Sequence, residues 1–229
     1  MPDHTAIYAK KAEQYDMLIS RQKSVYPILK KIKPFEGLDI IDMGAGTGRL
    51  TCLLAPQAKS IVAFDRSQAM LDIAATKLKK KGLNNWKTQA ADHRQLPIED
   101  NSTDLIVSGW SLCYLGSSNV PNWKQNIHQV MNEIKRVLRP GGSVIIFETM
   151  GTGTELPHPP DFLKGYYSLL ENVYGFSNTV IRTDYTFANI AEAEDLTRFF
   201  FGDELANKVV EQKLVQLPEW AGVWWREFK

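Results

Sequence analysis

The residues best placed to do chemistry lie in Ile40-Ile41-Asp42-Met43-Gly44-Ala45-Gly46-Thr47-Gly48-Arg49-Leu50. An apolar run that ends in an acid and passes into alternating glycines reads as a buried strand followed by a loop. The bare backbone of such a loop lets a nucleotide-like ligand lie almost on the chain. Two more acids follow. Asp65 closes the apolar run Ile61-Val62-Ala63-Phe64, about twenty residues beyond the loop, where a carboxylate can accept hydrogen bonds from both hydroxyls of a ribose. Asp92 sits in Ala90-Ala91-Asp92-His93, after a weaker third strand. A dinucleotide fingerprint needs G-x-G-x-x-G, and Arg49 stands where its third glycine would fall.

The spacing Gly44-x-Gly46-x-Gly48 resembles motif I of the class I S-adenosylmethionine-dependent methyltransferases. Arg66-Ser67-Gln68-Ala69-Met70-Leu71 resembles the helix start that follows the ribose acid in that family, with Met70 a wall for adenine. Asp104-Leu105-Ile106-Val107-Ser108-Gly109-Trp110-Ser111-Leu112 resembles its motif IV. The run from Glu133 through Arg139-Pro140-Gly141-Gly142 to Ser143 resembles its next helix, turn and fifth strand. The resemblance covers residues 37–148 and is nearest to the small-molecule group that includes the ubiquinone and menaquinone biosynthesis enzymes.

The resemblance implies S-adenosylmethionine as cofactor, with S-adenosylhomocysteine as product. The implied cofactor-binding set is Asp42, Gly44, Ala45, Gly46, Gly48, Asp65, Arg66, Met70, Ala91, Asp92, His93, Ser108 and Tyr15. Asp92 matches the acid that accepts from the adenine amino group, and His93 accompanies it. Asp42 either anchors the amino end of the cofactor's methionine moiety or caps the loop's own amides. Tyr8 and Tyr15 lie in an N-terminal segment that folds over the cofactor in related enzymes.

These residues need a scaffold, and the hydrophobic pattern supplies one. Strands are predicted at 38–43, 60–65, 86–91, 104–110 and 143–148, with helices at 48–54, 67–80 and 122–138 between them. Short buried strands alternating with amphipathic helices predict an α/β, Rossmann-like, doubly wound sheet with helices on both faces. The family implies seven strands, mostly parallel, in the order 3-2-1-4-5-7-6 with an antiparallel last strand. Residues 1–33 read as a helical lid, with Ser24 capping a helix that carries Pro27. Residues 37–148 read as the cofactor-binding core, and 151–229 as a substrate-side cap with the last two strands, at 178–187 and 222–228. All belong to one domain, 1–229.

The acceptor side carries fewer signals. The catalytic residues are unassigned, with Tyr15, Trp110 and His158 as candidates. Trp110 follows strand four, where it could face a sulfonium or pack in the core, and Cys113 and Tyr114 lie beside it. His158 lies on a loop expected near the cleft. Glu148 ends strand five. His4 and His128 read as surface residues. The aromatic helix bearing Phe162, Tyr166, Tyr167 and Tyr174 could roof an apolar acceptor, pack the core or form a dimer contact. After strand four the chain reads Ser108-Gly109-Trp110-Ser111 rather than an Asn-Pro-Pro-Tyr type sequence, which disfavours methylation of planar nitrogens and leaves O, C, S and aliphatic N open.

Composition narrows the partners. A formal net charge of +1 over 229 residues gives no global field for nucleic acid. The Lys77, Lys79, Lys80, Lys81 run suits the C-terminal pole of a helix. Two cysteines, Cys52 and Cys113, suggest neither a disulfide framework nor a metal site and fit a reducing cytoplasm. No apolar run approaches the ~18 residues of a membrane span. The expected function is methyl transfer to a small molecule by a monomer or homodimer. The alternatives are methylation of RNA or protein, and cofactor binding without catalysis.

Overall fold

The computed structural model describes residues 2–228. Three helices lead the chain: α1 (His4–Lys10), α2 (Ala12–Ser20) and α3 (Tyr26–Ile32). There follow β1 (Asp39–Met43), α4 (Thr51–Leu54), β2 (Ser60–Asp65), α5 (Gln68–Lys80), β3 (Trp86–Ala90), β4 (Thr103–Gly109), α6 (Cys113–Gly116), α7 (Trp123–Val137) and β5 (Leu138–Thr152). The remainder forms α8 (Asp161–Asn172), β6 (Ser177–Arg182), β7 (Tyr185–Thr186), α9 (Ile190–Phe201), α10 (Asp203–Glu211), β8 (Gln216–Leu217) and β9 (Glu219–Glu227).

Seven strands form one sheet in the order β3-β2-β1-β4-β5-β9-β6. With the short β7–β8 pair set aside, this is the expected order. Strands β1 to β5 pair in parallel, and β9 runs antiparallel to both β5 and β6. Alternate residues feed two cores, one on each face. Ile41, Met43, Ile106, Val144 and Ile146 pack with α7 and α8. Ile40, Leu105, Val107, Ile145 and Phe147 pack with Leu29, Leu50 and Leu54 on the other face. A parallel sheet covered on both faces has to be apolar on both, which is why these strands read as continuous hydrophobic runs. The strand order reverses between β1 and β4, and a crevice opens there at the strands' carboxyl ends.

Several local expectations change. The N-terminal segment expected as a helical lid divides into separate helices, the first two broken at Lys11, whose φ of −134° leaves the helical region. Val25 rather than Ser24 occupies the cap position of α3, and the Ser24 hydroxyl instead accepts from Tyr26 N–H two residues on. Residues 48–50 form turns, so α4 begins only at Thr51. The expected 178–187 strand divides because Thr183 N–H donates to Glu219 and Tyr185 pairs with Leu217. The last strand starts at Glu219, ahead of the expected residue 222.

A third cluster joins the two ends of the chain. Leu18 of α2 packs with Tyr185, Phe187, Leu196, Val209 and Leu217. The N-terminal helices are thereby anchored on the C-terminal lobe, across the mouth of the crevice. No helix among the described residues is long and apolar enough to cross a membrane.

Candidate functional site

The crevice holds a cleft of about 760 Å³. Its floor includes Gly44, Gly46 and Gly109, and one wall is the start of α5 from Arg66 to Met70. Asp65 stands where floor meets wall. Its Oδ2 accepts from Gly46 N–H at 2.9 Å and its Oδ1 from Ser67 N–H at 2.8 Å. The parallel register of β1 and β2 brings the acid level with the loop. Ser67 then caps α5 and donates its hydroxyl to the Tyr8 carbonyl, tying α1 to the wall.

Asp92 and His93 line the opposite side. Arg94 grips Asp92 with two N–H donors at 2.8 Å each, and this pairing holds the acid well below the usual carboxylate range. His93 is buried, which pushes its pKa down and keeps the ring neutral. Its Nε2 lies 2.8 Å from Ser111 Oγ, and the two side chains cross over Gly44. A Cβ on Gly44 would fall 1.9 Å from that Oγ, so this crossing requires glycine.

Behind the loop is a second cavity of about 20 Å³, lined by Asp42, Gly44, Ala45, Gly46, Thr47, Arg49 and Trp110 and closed by Tyr15 and Ile19 of α2. Asp42 accepts from the Thr51 hydroxyl at 2.5 Å, and burial pushes its carboxyl up to about 7. The Arg49 guanidinium lies 3.7 Å from the centre of the Trp110 ring. Trp110 has a φ of +52° and also stacks on Phe147. Its indole is therefore engaged by neighbours.

The roof is built by α1 and α2. Tyr8 OH lies 2.6 Å from Tyr114 OH, which lies 3.2 Å from His4 Nδ1. His4 Nε2 donates to the Phe200 carbonyl at 3.0 Å. The surface expectation for His4 is corrected: it is half-buried and lines the cleft. Its partners lie 110 and 196 residues away, beyond any local pattern. Tyr15 lines both cavities, its ring packed on Tyr8 and Phe200. Burial pushes its phenol up to about 12, and it raises the Tyr8 and Tyr114 phenols as well.

Other expected site residues fall outside these cavities. Gly48 faces α5, where a Cβ would come within 3.0 Å of the Ala74 Cβ; its role is packing. Ser108 is buried between strands and donates to the Met43 carbonyl. Ala91 donates its N–H to the Asp65 carbonyl. His158 is exposed and lines neither cavity, because its loop is tied to β9 through Trp220 and to α10 through Lys208. Glu148 is buried beneath the site, accepting from Cys113 N–H and Tyr166 OH, and burial raises it to about 8. Tyr166 and Tyr167 of α8 pack into the sheet core, Tyr167 stacked on Trp224, whereas Phe162 is exposed. His128 is on the surface as expected. No group of side chains suited to a metal ion occurs among the described residues.

Residues 41–146 match the family described as a methyltransferase domain. The chain is 32% identical over 158 residues to a demethylmenaquinone methyltransferase of Lactococcus lactis, covering 66% of this chain and 56% of that protein. It is 28% identical over 165 residues to a malonyl-[acyl-carrier protein] O-methyltransferase of a Marinomonas species, covering 71% and 55%. The chain thus spans about half the length of these curated relatives. A crystal structure of an S-adenosylmethionine-dependent methyltransferase from Aquifex aeolicus superposes with a TM-score of 0.54 at 16% identity, covering 97% of this chain and 92% of that one. That likeness concerns the fold.

Proposed function

We propose that this chain, whose residues 41–146 match a methyltransferase-domain family, transfers a methyl group from S-adenosylmethionine to a small-molecule acceptor. The observation that carries the reading is the placement of Asp65, held by Gly46 and Ser67 beside a cleft of about 760 Å³. A cleft of this volume suits a nucleoside-sized ligand together with a small partner. The residues fit the donor. Gly44 and Gly46 leave bare backbone where a ligand must lie close, and buried Asp42 has an Oδ1 without a partner, as an ammonium group would require.

When bound, S-adenosylmethionine supplies an electrophilic methyl carbon on a sulfonium. The chain's part is to hold and align. Asp65 takes the ribose hydroxyls, Met70 walls the adenine and Asp92 accepts from its amino group. Fixing the two reactants in line removes much of the entropic part of the barrier. Tyr8, Tyr114 and His4 exclude water from above. The Tyr8 and Tyr114 phenols, raised by burial, stay protonated and serve as hydrogen-bond donors. Cys52 and Cys113 are free thiols.

The relatives suggest the first acceptors to try. The purified protein with labelled S-adenosylmethionine is expected to methylate demethylmenaquinone, malonyl-acyl carrier protein or a related small acceptor. Label transferred only to RNA or to protein side chains would overturn the small-molecule reading.

A further inference from the structure

We propose that Tyr8, Tyr114 and His4 form a proton relay that draws the hydrogen from the hydroxyl of a flat-ring acceptor, a phenol or enol, as that oxygen is methylated. The inference rests on the methyl-transfer reading above and names an acceptor class for the same cleft.

Tyr8 OH lies 2.6 Å from Tyr114 OH, and Tyr114 OH lies 3.2 Å from His4 Nδ1. At the far end His4 Nε2 lies 3.0 Å from the Phe200 carbonyl, which can only accept, so Nε2 carries a proton. A neutral imidazole then keeps its lone pair on Nδ1. In that state Tyr114 donates to His4 and Tyr8 donates to Tyr114, because each phenol has a single hydrogen. The Tyr8 oxygen is left with lone pairs for a donor in the cleft, which Tyr8 lines. Among the described residues Tyr114 is the one hydrogen-bond partner of Tyr8 OH. The His4 ring is fixed by parallel stacking on Phe200, with centroids 4.3 Å apart.

The side chains that α1, α2 and α6 turn toward the cleft include no carboxylate, ammonium or guanidinium, and three of them are tyrosines. A carboxylate acceptor finds no cation on this side, whereas a flat ring can lie against tyrosine faces. A neutral hydroxyl is a poor nucleophile until its proton begins to leave. The roof that keeps water from the reacting atoms also closes the ordinary route for that proton. Tyr15 and Cys113 are the other titratable groups facing Tyr8, and burial pushes both up, which leaves His4 as the base at the end of the chain.

In the relay the acceptor O–H bond breaks as its oxygen bonds to the methyl carbon, and the C–S electron pair stays with sulfur. The acceptor proton passes to the Tyr8 oxygen, the Tyr8 proton to Tyr114 and the Tyr114 proton to His4 Nδ1. Both phenols end neutral, and the one positive charge that began on the sulfonium ends on the imidazolium. Tyr114 is 45% exposed and His4 is half-buried, so the charge is discharged to water outside the roof.

The test uses labelled S-adenosylmethionine with three probes: a naphthol, a nitrated naphthol already ionised at about pH 8, and a naphthoate. Wild-type protein is expected to methylate the naphthol. Tyr8→Phe and His4→Ala are expected to lower kcat for the naphthol about a hundredfold, with KM changed less than about threefold and with rates still rising at pH values where the wild type has levelled. On the ionised nitronaphthol the same variants are expected to lose less than about threefold, since no proton has to move. In the ligand-free protein, nitrogen NMR is expected to find His4 protonated at Nε2 and bare at Nδ1, with Tyr114→Phe moving the Nδ1 resonance. Equal losses on the naphthol and the nitronaphthol would overturn the relay, as would a neutral His4 protonated at Nδ1. Methylation of the naphthoate alone, or of no probe, would overturn the hydroxyl acceptor. Failure of the wild-type protein to bind S-adenosylhomocysteine would overturn the methyl-transfer reading itself.

Discussion

Asp65 and Gly46 are joined before any ligand arrives: the Gly46 N–H donates to Asp65 Oδ2 at 2.9 Å, across the gap between β2 and the loop after β1. The Asp65 carboxylate is thus oriented by the glycine loop beside it. Asp65→Asn would set an amide NH₂ against either the Gly46 or the Ser67 N–H donor. Affinity for S-adenosylhomocysteine and 5′-methylthioadenosine is expected to fall together, by about tenfold to a hundredfold. Calorimetry with both ligands checks this.

The glycines of the loop are expected to fail in different ways. Gly44→Ala places a Cβ 1.9 Å from Ser111 Oγ at a φ of +83° and should break the His93–Ser111 bond and lower the melting temperature sharply. Gly46→Ala meets only Met70 Cε at 3.4 Å; it should fold at a cost of about 1–2 kcal/mol in backbone strain yet lose ligand affinity, because its Cβ enters the cleft. Gly82→Ala, at a φ of +67° with open space around it, is the control that shows strain alone. Thermal melts with and without S-adenosylhomocysteine distinguish the three.

Buried acids set the pH response. Asp42 is raised to about 7, and Glu148 and Glu219 to about 8, in each case chiefly by burial. An acid with a raised folded pKa keeps its proton while the unfolded chain has lost it. Stability from these groups is therefore full below the ordinary carboxylate range and declines as pH rises toward 7–8. Melting temperature is expected to drop across that window, and Glu148→Gln should flatten the slope. Asp92, lowered by Arg94, acts in the opposite sense and only at more acidic pH. Because an ammonium favours ionised Asp42, S-adenosylhomocysteine binding at about pH 6 should release up to about one proton. Calorimetry in two buffers of different ionisation heat counts it.

The roof depends on a chain of hydrogen bonds. The Phe200 carbonyl can only accept, so His4 donates from Nε2, while Tyr114 OH lies within hydrogen-bond distance of both His4 Nδ1 and Tyr8 OH. Tyr114→Phe removes the middle member at a cost of about 1 kcal/mol. Faster amide exchange is expected in α1, with β1 to β5 unchanged.

Much of this was legible because it is local. The Gly44-x-Gly46-x-Gly48 spacing, the acids at Asp65 and Asp92, and the βα alternation lie in short windows where strand and turn chemistry is written directly. The sheet order is the one that the family resemblance implied, and β9 differs mainly in where it starts. The roof was not legible, since His4 meets Tyr114 and Phe200 only through folding of both chain ends onto one lobe. In the sequence Arg49 stands only as an obstacle to a dinucleotide pattern. Its stacking on Trp110 depends on the β1–β4 pairing and on a positive φ that no local preference for tryptophan foretells. His158 was misplaced for the converse reason: loop position alone suggested the cleft, but Trp220 and Lys208 tie that loop elsewhere.

The central claim is that the cleft beside Asp65 binds a sulfonium nucleoside. Titration calorimetry of the wild-type chain with S-adenosylmethionine, S-adenosylhomocysteine and NAD tests it most directly. Saturable binding of the first two at one site per chain, abolished by Gly46→Ala and weakened by Asp65→Asn, with no heat from NAD, is the expected result. Binding of NAD with none of either sulfur nucleoside would contradict it.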